Sequence, residues 1–326
     1  MSEGSGRSPA PKRGARKGGR PGAPPKSQGG PRKKSSSAKP ARPAGARPSR
    51  GSSGPKSSGG GPQRGRQRDE RGGQRVRPDH LGGDIVEGRQ AVRELLRVGR
   101  RSVQEVVVAE EVGESAVMAE IQDLAEERRI PYKVVSRKKV DEQAFTEAHQ
   151  GVIATATPLW PTEFEDLLVA KGNKTPFLLA LDGVTDPGNL GAILRTAEVV
   201  GATGVVLPKH RAARLSPAAV KAAAGSVEHL RIALVGGLPT ALQQAADQGM
   251  WVIGLDGGAP ESVYEMKVAD QPLVLVLGAE GRGLSSLTAR RCHQIVGIPQ
   301  FGRTESLNVS VAAAVACYEV QRRRLG

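Results

Sequence analysis

Aromatic side chains are scarce in this chain: four Phe, three Tyr and two Trp among 326 residues. Base-stacking platforms for single-stranded RNA are built on exposed aromatics, so the composition disfavours that mode of nucleic-acid binding. Cysteine is scarcer still. Cys292 and Cys317 supply neither a disulfide framework nor a zinc site, which points to the reducing cytoplasm. No apolar run reaches the ~18 residues of a membrane span. The basic N-terminus is followed by no apolar stretch of the kind a secretory signal requires. The five histidines are scattered without H-E-x-x-H, and neither G-x-x-x-x-G-K-[ST] nor G-x-S-x-G occurs. Metal-assisted hydrolysis, P-loop phosphoryl transfer and nucleophile-elbow hydrolysis therefore lack support.

What the chain has in excess is positive charge at one end. Residues 1–80 hold 21 Lys+Arg against 4 Asp+Glu, while the rest of the chain, with 27 against 29, is nearly neutral. The same segment has no Phe, Trp or Tyr, and Met1 and Val76 are its only large apolar residues. A segment so poor in apolar surface cannot offset its ordering entropy, so residues 1–80 are expected to form a disordered basic tail. Such a polycation attracts RNA phosphates without sequence preference and in a salt-dependent way; a merely solubilising tail is the alternative.

From Ile85 onward the pattern alternates. Apolar spacing such as Ala91, Leu95 and Val98 predicts helices over Gly88–Leu96, Ser115–Arg128 and Lys138–Thr146. β-Branched runs such as Val106-Val107-Val108 predict strands over Gln104–Ala109, Tyr132–Ser136 and Gly151–Thr155. A small α/β domain over 83–157 follows, then a linker over 158–175. In 176–326 short apolar runs (Leu178–Leu181, Gly204–Leu207, Arg231–Val235, Trp251–Leu255, Leu273–Leu277, Ile295–Ile298) alternate with helical stretches (Asn189–Val200, Pro217–Ala224, Leu238–Gln248, Leu284–Cys292). Strands apolar on both faces, joined by helical crossovers, imply a mainly parallel sheet covered by helices. The last helix, Leu307 to Arg323, is built largely of small residues suited to close packing in the core or across a dimer interface.

Three loops at strand ends combine glycines with polar side chains: Leu181 to Gly191, Leu277 to Leu284, and Ile298 to Asn308. In open parallel sheets, ligands sit outside the carboxyl ends of the strands. The second loop reads G-x-x-G-x-G, which is not the dinucleotide fingerprint.

These loops resemble the signature motifs of the SpoU (TrmH) family of S-adenosylmethionine-dependent RNA ribose 2'-O-methyltransferases. The resemblance rests on Asp186-Pro187-Gly188-Asn189-Leu190-Gly191 with Arg195-Thr196, on Leu277-Gly278-Ala279-Glu280-Gly281-Arg282-Gly283, and on Ile298-Pro299 with Glu305-Ser306-Leu307-Asn308-Val309-Ser310. Gly188 departs from the His that many relatives carry. Residues 83–155, through Gly88-Arg89-Gln90-Ala91-Val92 and His149-Gln150-Gly151-Val152, resemble the L30e-like RNA-binding domain of the branch that methylates a guanosine of bacterial 23S rRNA.

The resemblance implies a SPOUT-type α/β fold with a C-terminal trefoil knot, a homodimer, and S-adenosylmethionine held by Leu277, Gly278, Gly281, Ile298 and Leu307. It makes Arg195 the residue nearest the reacting hydroxyl. A guanidinium with a pKa above ~12 is a poor base, so a clamp on the RNA phosphate is the preferred role. Asn189 is expected to fix Arg195, Glu280 to orient Arg195 or the nucleoside, and Ser306 and Asn308 to hold the ribose; helix capping competes for these last three. For Glu228, structural support and catalysis are both open. Phe301 is read as a core residue or a stacking surface, and His149 as a turn or core residue, with RNA contact as its alternative. A tRNA guanosine or an rRNA adenosine as target, or a non-catalytic RNA-binding or ribosome-assembly protein of the same fold, are the alternatives.

Overall fold

The computed structural model describes residues 80–170, 172, 174–210, 214–303 and 306–325. The expected tail, apart from His80, lies outside the described residues.

The first sheet comprises β1 (Ile85–Glu87), β2 (Val103–Ala109), β3 (Tyr132–Val135) and β4 (Val152–Ala156), in the order β1-β4-β2-β3. β4 runs antiparallel to both its neighbours, and β2 pairs parallel with β3. Side chains alternate across a strand, and the strand sequences use both faces. Val106, Val108, Val152 and Ala154 pack with Ala91, Leu95 and Leu96 of α1 (Arg89–Val98) and Ile121 of α2 (Ala116–Glu127). Val107, Ala109 and Ile153 turn the other way, onto Val140 of α3 (Arg137–Gln143).

The second sheet has seven strands: β5 (Phe177–Asp182), β6 (Gly204–Pro208), β7 (Ile232–Val235), β8 (Trp251–Leu255), β9 (Glu261–Ser262), β10 (Leu273–Gly278) and β11 (Gln294–Gly297). Their order is β7-β6-β5-β10-β8-β11-β9, and every pairing is parallel. One face, with Leu179, Leu181, Leu275 and Leu277, packs on α5 (Pro187–Val199), α6 (Pro217–Ala222) and α9 (Val309–Arg324). The opposite face, with Leu178, Ala180, Val274 and Val276, is covered by α4 (Phe164–Leu168) and α7 (Leu238–Asp247). Burial on both faces is why these strands read as unbroken apolar runs. Close packing of α5 on α6 depends on Gly191, where a Cβ would overlap the Ala219 carbonyl and the Ala222 methyl.

The structure differs from the sequence expectation in four elements. β1 and β9, three and two residues long, were not expected. The stretch expected as a linker contains α4, whose Phe164 and Leu167 are buried under the sheet. The helix expected over Leu284–Cys292 is only α8 (Ser286–Ala289). Ser285 starts it late: its N–H donates to Asp182 Oδ2 at 2.7 Å, while its hydroxyl oxygen accepts from Thr288 N.

A buried ion pair joins the two sheets. Arg101, in the turn before β2, donates through Nε to Glu228 Oε2 at 3.1 Å and through Nη2 to Glu228 Oε1. Its Nη1 donates to the carbonyls of Gly83 (2.6 Å) and Thr157 (2.9 Å). The two side chains are 3% and 1% exposed, so Glu228 has a structural partner and no access to substrate.

Candidate active site

Because β10, β8 and β11 lie side by side and parallel, the loops that follow them converge at the carboxyl edge of the sheet. The loop after β10 closes on itself: Ala279 N donates to Gly283 O at 3.0 Å and Gly283 N to Ala279 O at 2.9 Å. That closure requires glycine at 278, since a Cβ there would overlap the Gly283 backbone. The three loops and the start of α9 enclose a cleft of about 230 Å³.

Leu277, Gly278, Gly281, Ile298 and Leu307 all line this cleft, together with Glu280 and Ser306. Sequence reasoning missed one wall, Leu255-Asp256-Gly257-Gly258 after β8. Its signal was an apolar strand ending in Asp-Gly-Gly, the same grammar as the loops that were noticed. Asp256 Oδ1 accepts from Gly258 N at 3.0 Å, an Asx turn that fixes the carboxylate at the rim.

Beside the cleft lies a recess of about 90 Å³ lined by Asp186, Asn189, Glu280 and Arg282 among others. Asp186 caps α5 by accepting from Asn189 N at 2.7 Å, and Pro187 occupies the first helical turn. Asn189 Nδ2 donates to Glu280 Oε2 at 3.2 Å. Asn308 Nδ2 donates to Asn189 Oδ1 at 2.9 Å, while Asn308 Oδ1 caps α9 by accepting from Ser310 N at 2.9 Å. A carboxylate and two amides from three distant loops thus form one chain of hydrogen bonds. For Asn308, capping and site contact are not alternatives, because the two ends of one amide do both. Glu280 does not cap α8, whose cap is Ser285.

The expected contacts of Asn189 and Glu280 with Arg195 are not made; their side-chain bonds run to each other and to Asn308. Arg195 is exposed on α5, does not line the cleft, and has no ion-pair or hydrogen-bond partner among the described residues. Six residues along a helix place it about 9 Å further along the axis than Asn189 and roughly 120° around it. Asn189 and Glu280 therefore bond each other, and neither fixes Arg195. Phe301, 97% exposed, is not a core residue. His149 is buried, with Nδ1 accepting from Gly151 N at 3.1 Å and Nε2 3.0 Å from Asp141. Burial pushes the Cys292 and Cys317 thiols up to about 12, with the Asp182 charge contributing at Cys292. Such thiols stay protonated and unreactive. Among the described residues no group of three or more His, Cys, Asp or Glu could hold a metal ion, and no helix is long and apolar enough to cross a membrane.

A parallel α/β sheet with a glycine-framed apolar cleft at its carboxyl edge, and an amide–carboxylate cluster at the cleft's rim, defines a cofactor-using enzyme site. Comparison with known proteins gives the family. The profile of the SpoU rRNA Methylase family matches residues 176–318, and that for RNA 2'-O ribose methyltransferase substrate binding matches residues 85–161. YacO of Bacillus subtilis, assigned by name to the TrmH family of tRNA/rRNA methyltransferases, is 40% identical over 243 residues, covering 74% of this chain and 96% of the relative. The 23S rRNA (guanosine-2'-O-)-methyltransferase RlmB of Photobacterium profundum is 37% identical over 248 residues, covering 75% of this chain and 99% of the relative. The crystal structure of an AdoMet-bound rRNA methyltransferase from Sinorhizobium meliloti superposes with a TM-score of 0.61 at 26% identity, covering 74% of this chain and 88% of that one. The chain belongs to the SpoU rRNA methylase family, and it is an RNA methyltransferase.

Proposed function

We propose that the chain transfers a methyl group from S-adenosylmethionine to the ribose 2'-hydroxyl of a guanosine in 23S rRNA. The observation that carries this reading is the junction of the backbone-lined cleft with the Glu280–Asn189–Asn308 chain at its rim. The residues fit the cofactor. Leu277, Ile298 and Leu307 offer apolar walls to its adenine and thioether, Gly278 and Gly281 let the backbone approach, and Asp256 offers a carboxylate to its hydroxyls or ammonium. When bound, the cofactor supplies an electrophilic methyl group carried on a sulfonium.

The chain's own contribution is positioning, which can supply roughly 7–11 kcal/mol of a transfer barrier. The recess beside the cleft receives the ribose. Glu280, bonded to Asn189 through Oε2, keeps Oε1 to hold the hydroxyl proton; Ser306, on the wall of the adjoining cleft, and Asn308, bonded to Asn189, hold the ribose and the loop. Arg195 clamps the adjoining phosphate and stabilises the developing alkoxide, as the planar fork of a guanidinium suits it to do. Its exposure and freedom from partners among the described residues suit it to a ligand that arrives from outside.

The same reading takes residues 83–157 as an L30e-like substrate domain, 158–175 as a linker now known to carry α4, and 176–326 as the catalytic domain with a trefoil knot. Insertion of β10 between β5 and β8, with α9 packed on α5, supports the knot. A cytoplasmic homodimer is part of the proposal, supported by Val311 and Tyr318, exposed seven residues apart on α9, and by exposed Val199 on α5.

Methyl transfer from labelled S-adenosylmethionine to protein-free 23S rRNA and to total tRNA, side by side, tests the reading. Label confined to 23S rRNA supports it, and label in tRNA alone overturns the substrate. Arg195→Ala is expected to abolish transfer with cofactor affinity nearly intact. A tenfold cofactor defect in that variant, about 1.4 kcal/mol, contradicts the division of roles.

A further inference from the structure

Glu87 is a fully buried carboxylate with no cationic partner among the described residues. It ends β1 and accepts hydrogen bonds from the backbone N–H groups of Phe145 and Thr146 (3.1 Å for the latter) and from the Thr146 hydroxyl. Burying a polar group is costly unless it is hydrogen-bonded, and here all three side-chain bonds shown for the group go to holding one surface loop. What the loop presents is Phe145, 71% exposed in a chain that has four Phe.

The neighbouring atoms extend the pattern. Gly88 N donates to Val152 O at 3.0 Å and Arg89 N to Gln150 Oε1 at 3.1 Å, so residues 87–89 and 145–152 form one bonded rim. Gln150 sits at φ +56°, a left-handed conformation rare outside glycine. Arg89 Nε is buried without a hydrogen-bond partner, and Lys221 of α6 reaches the same rim, its Cγ 3.7 Å from where a Gly88 Cβ would lie. Neither cation has an ion-pair partner among the described residues. Glu147, exposed on the same loop, is the opposing charge.

We propose that this rim is a docking site for an unpaired nucleotide of the substrate RNA, with Phe145 stacking on the base and Arg89 and Lys221 holding the flanking phosphates. A flat apolar face beside uncompensated cations matches a base joined to phosphates. Lys221 belongs to the helix that packs beside α5, so an RNA segment seated here contacts both sheets' layers at once. The inference rests on the RNA methyltransferase reading and deepens it.

The test uses the full chain and labelled transfer to 23S rRNA. Phe145→Ala is expected to raise KM for RNA about tenfold, with kcat and cofactor affinity held. Phe145→Leu, apolar but unable to stack, behaves like Ala. Arg89→Ala lowers the slope of log affinity against log salt by about one, and Phe145→Ala leaves that slope alone. In Phe145→Trp, a single-stranded oligoribonucleotide quenches the added emission, a readout independent of catalysis. An unchanged KM in Phe145→Ala, or no quenching in Phe145→Trp, overturns the proposal. So does a halved mass of Phe145→Ala in sedimentation, which makes the ring a contact between copies. If the wild type transfers no label, the enzyme reading fails while the quenching measurement still decides this site.

Discussion

Asn308 shows how much one amide can be asked to do. Its oxygen caps α9 and its nitrogen holds Asn189, so stability and site geometry share a residue. The two roles separate by substitution. Asn308→Asp keeps the capping oxygen and adds a charge that the helix N-terminus favours, but it loses the donor to Asn189. Its Tm is expected to hold while transfer falls at least tenfold; Asn308→Ala loses the cap as well, at about 0.5–2 kcal/mol. Thermal melts alongside transfer kinetics check both. His293 carries a pH prediction. Burial lowers its pKa from 6.5, and its Nδ1 accepts from Val252 N at 3.0 Å, which needs the neutral ring. The unfolded chain therefore binds the proton more readily, so the stability this group contributes is present above pH 6.5 and lost as pH falls below it. Urea midpoints measured downward from pH 7 should show the loss, and His293→Asn should flatten that part of the curve. At this scale the sequence was informative about residue identity: Asn189, Glu280 and Asn308, which the fold brings into contact, were each singled out. Their mutual bonds were not, because three loops from distant parts of the chain meet only once the sheet is built.

At the scale of elements, legibility followed length and burial. The long strands read as apolar runs because helices cover both their faces, and α5 and α9 followed from their start motifs. β1 and β9 are too short to show a period, and α4 hides in a stretch whose prolines suggest loop. The α5–α6 contact gives the prediction here. Gly191→Ala places a methyl against the Ala219 carbonyl and should cost about 1–3 kcal/mol by overpacking. A urea titration should show that loss. An unchanged midpoint means that α6 can yield, and that the close approach is incidental.

Over the whole molecule, the strand order and the joint between the sheets were out of reach of local patterns, since both are tertiary. The joint turns on Arg101 and Glu228, each buried and each the other's only counter-charge among the described residues. Glu228→Ala leaves Arg101 charged without a partner and should cost about 3–5 kcal/mol, read as a drop in Tm. Replacing both by apolar residues of similar size should recover much of it, which distinguishes a mispaired charge from lost packing.

Arg324, at the end of α9, donates to the carbonyls of Ala269 (2.8 Å), Gln271 (2.8 Å) and Thr175 (3.0 Å) and stacks 5.2 Å from the Phe177 ring. Those groups sit where β5 and β10 begin, at the centre of the catalytic sheet. Synthesis runs from the N-terminus, so the two central strands stay unclasped until residue 324 has left the exit tunnel. The sheet therefore takes its final closure from α9, long after its first strand, β5, has been made.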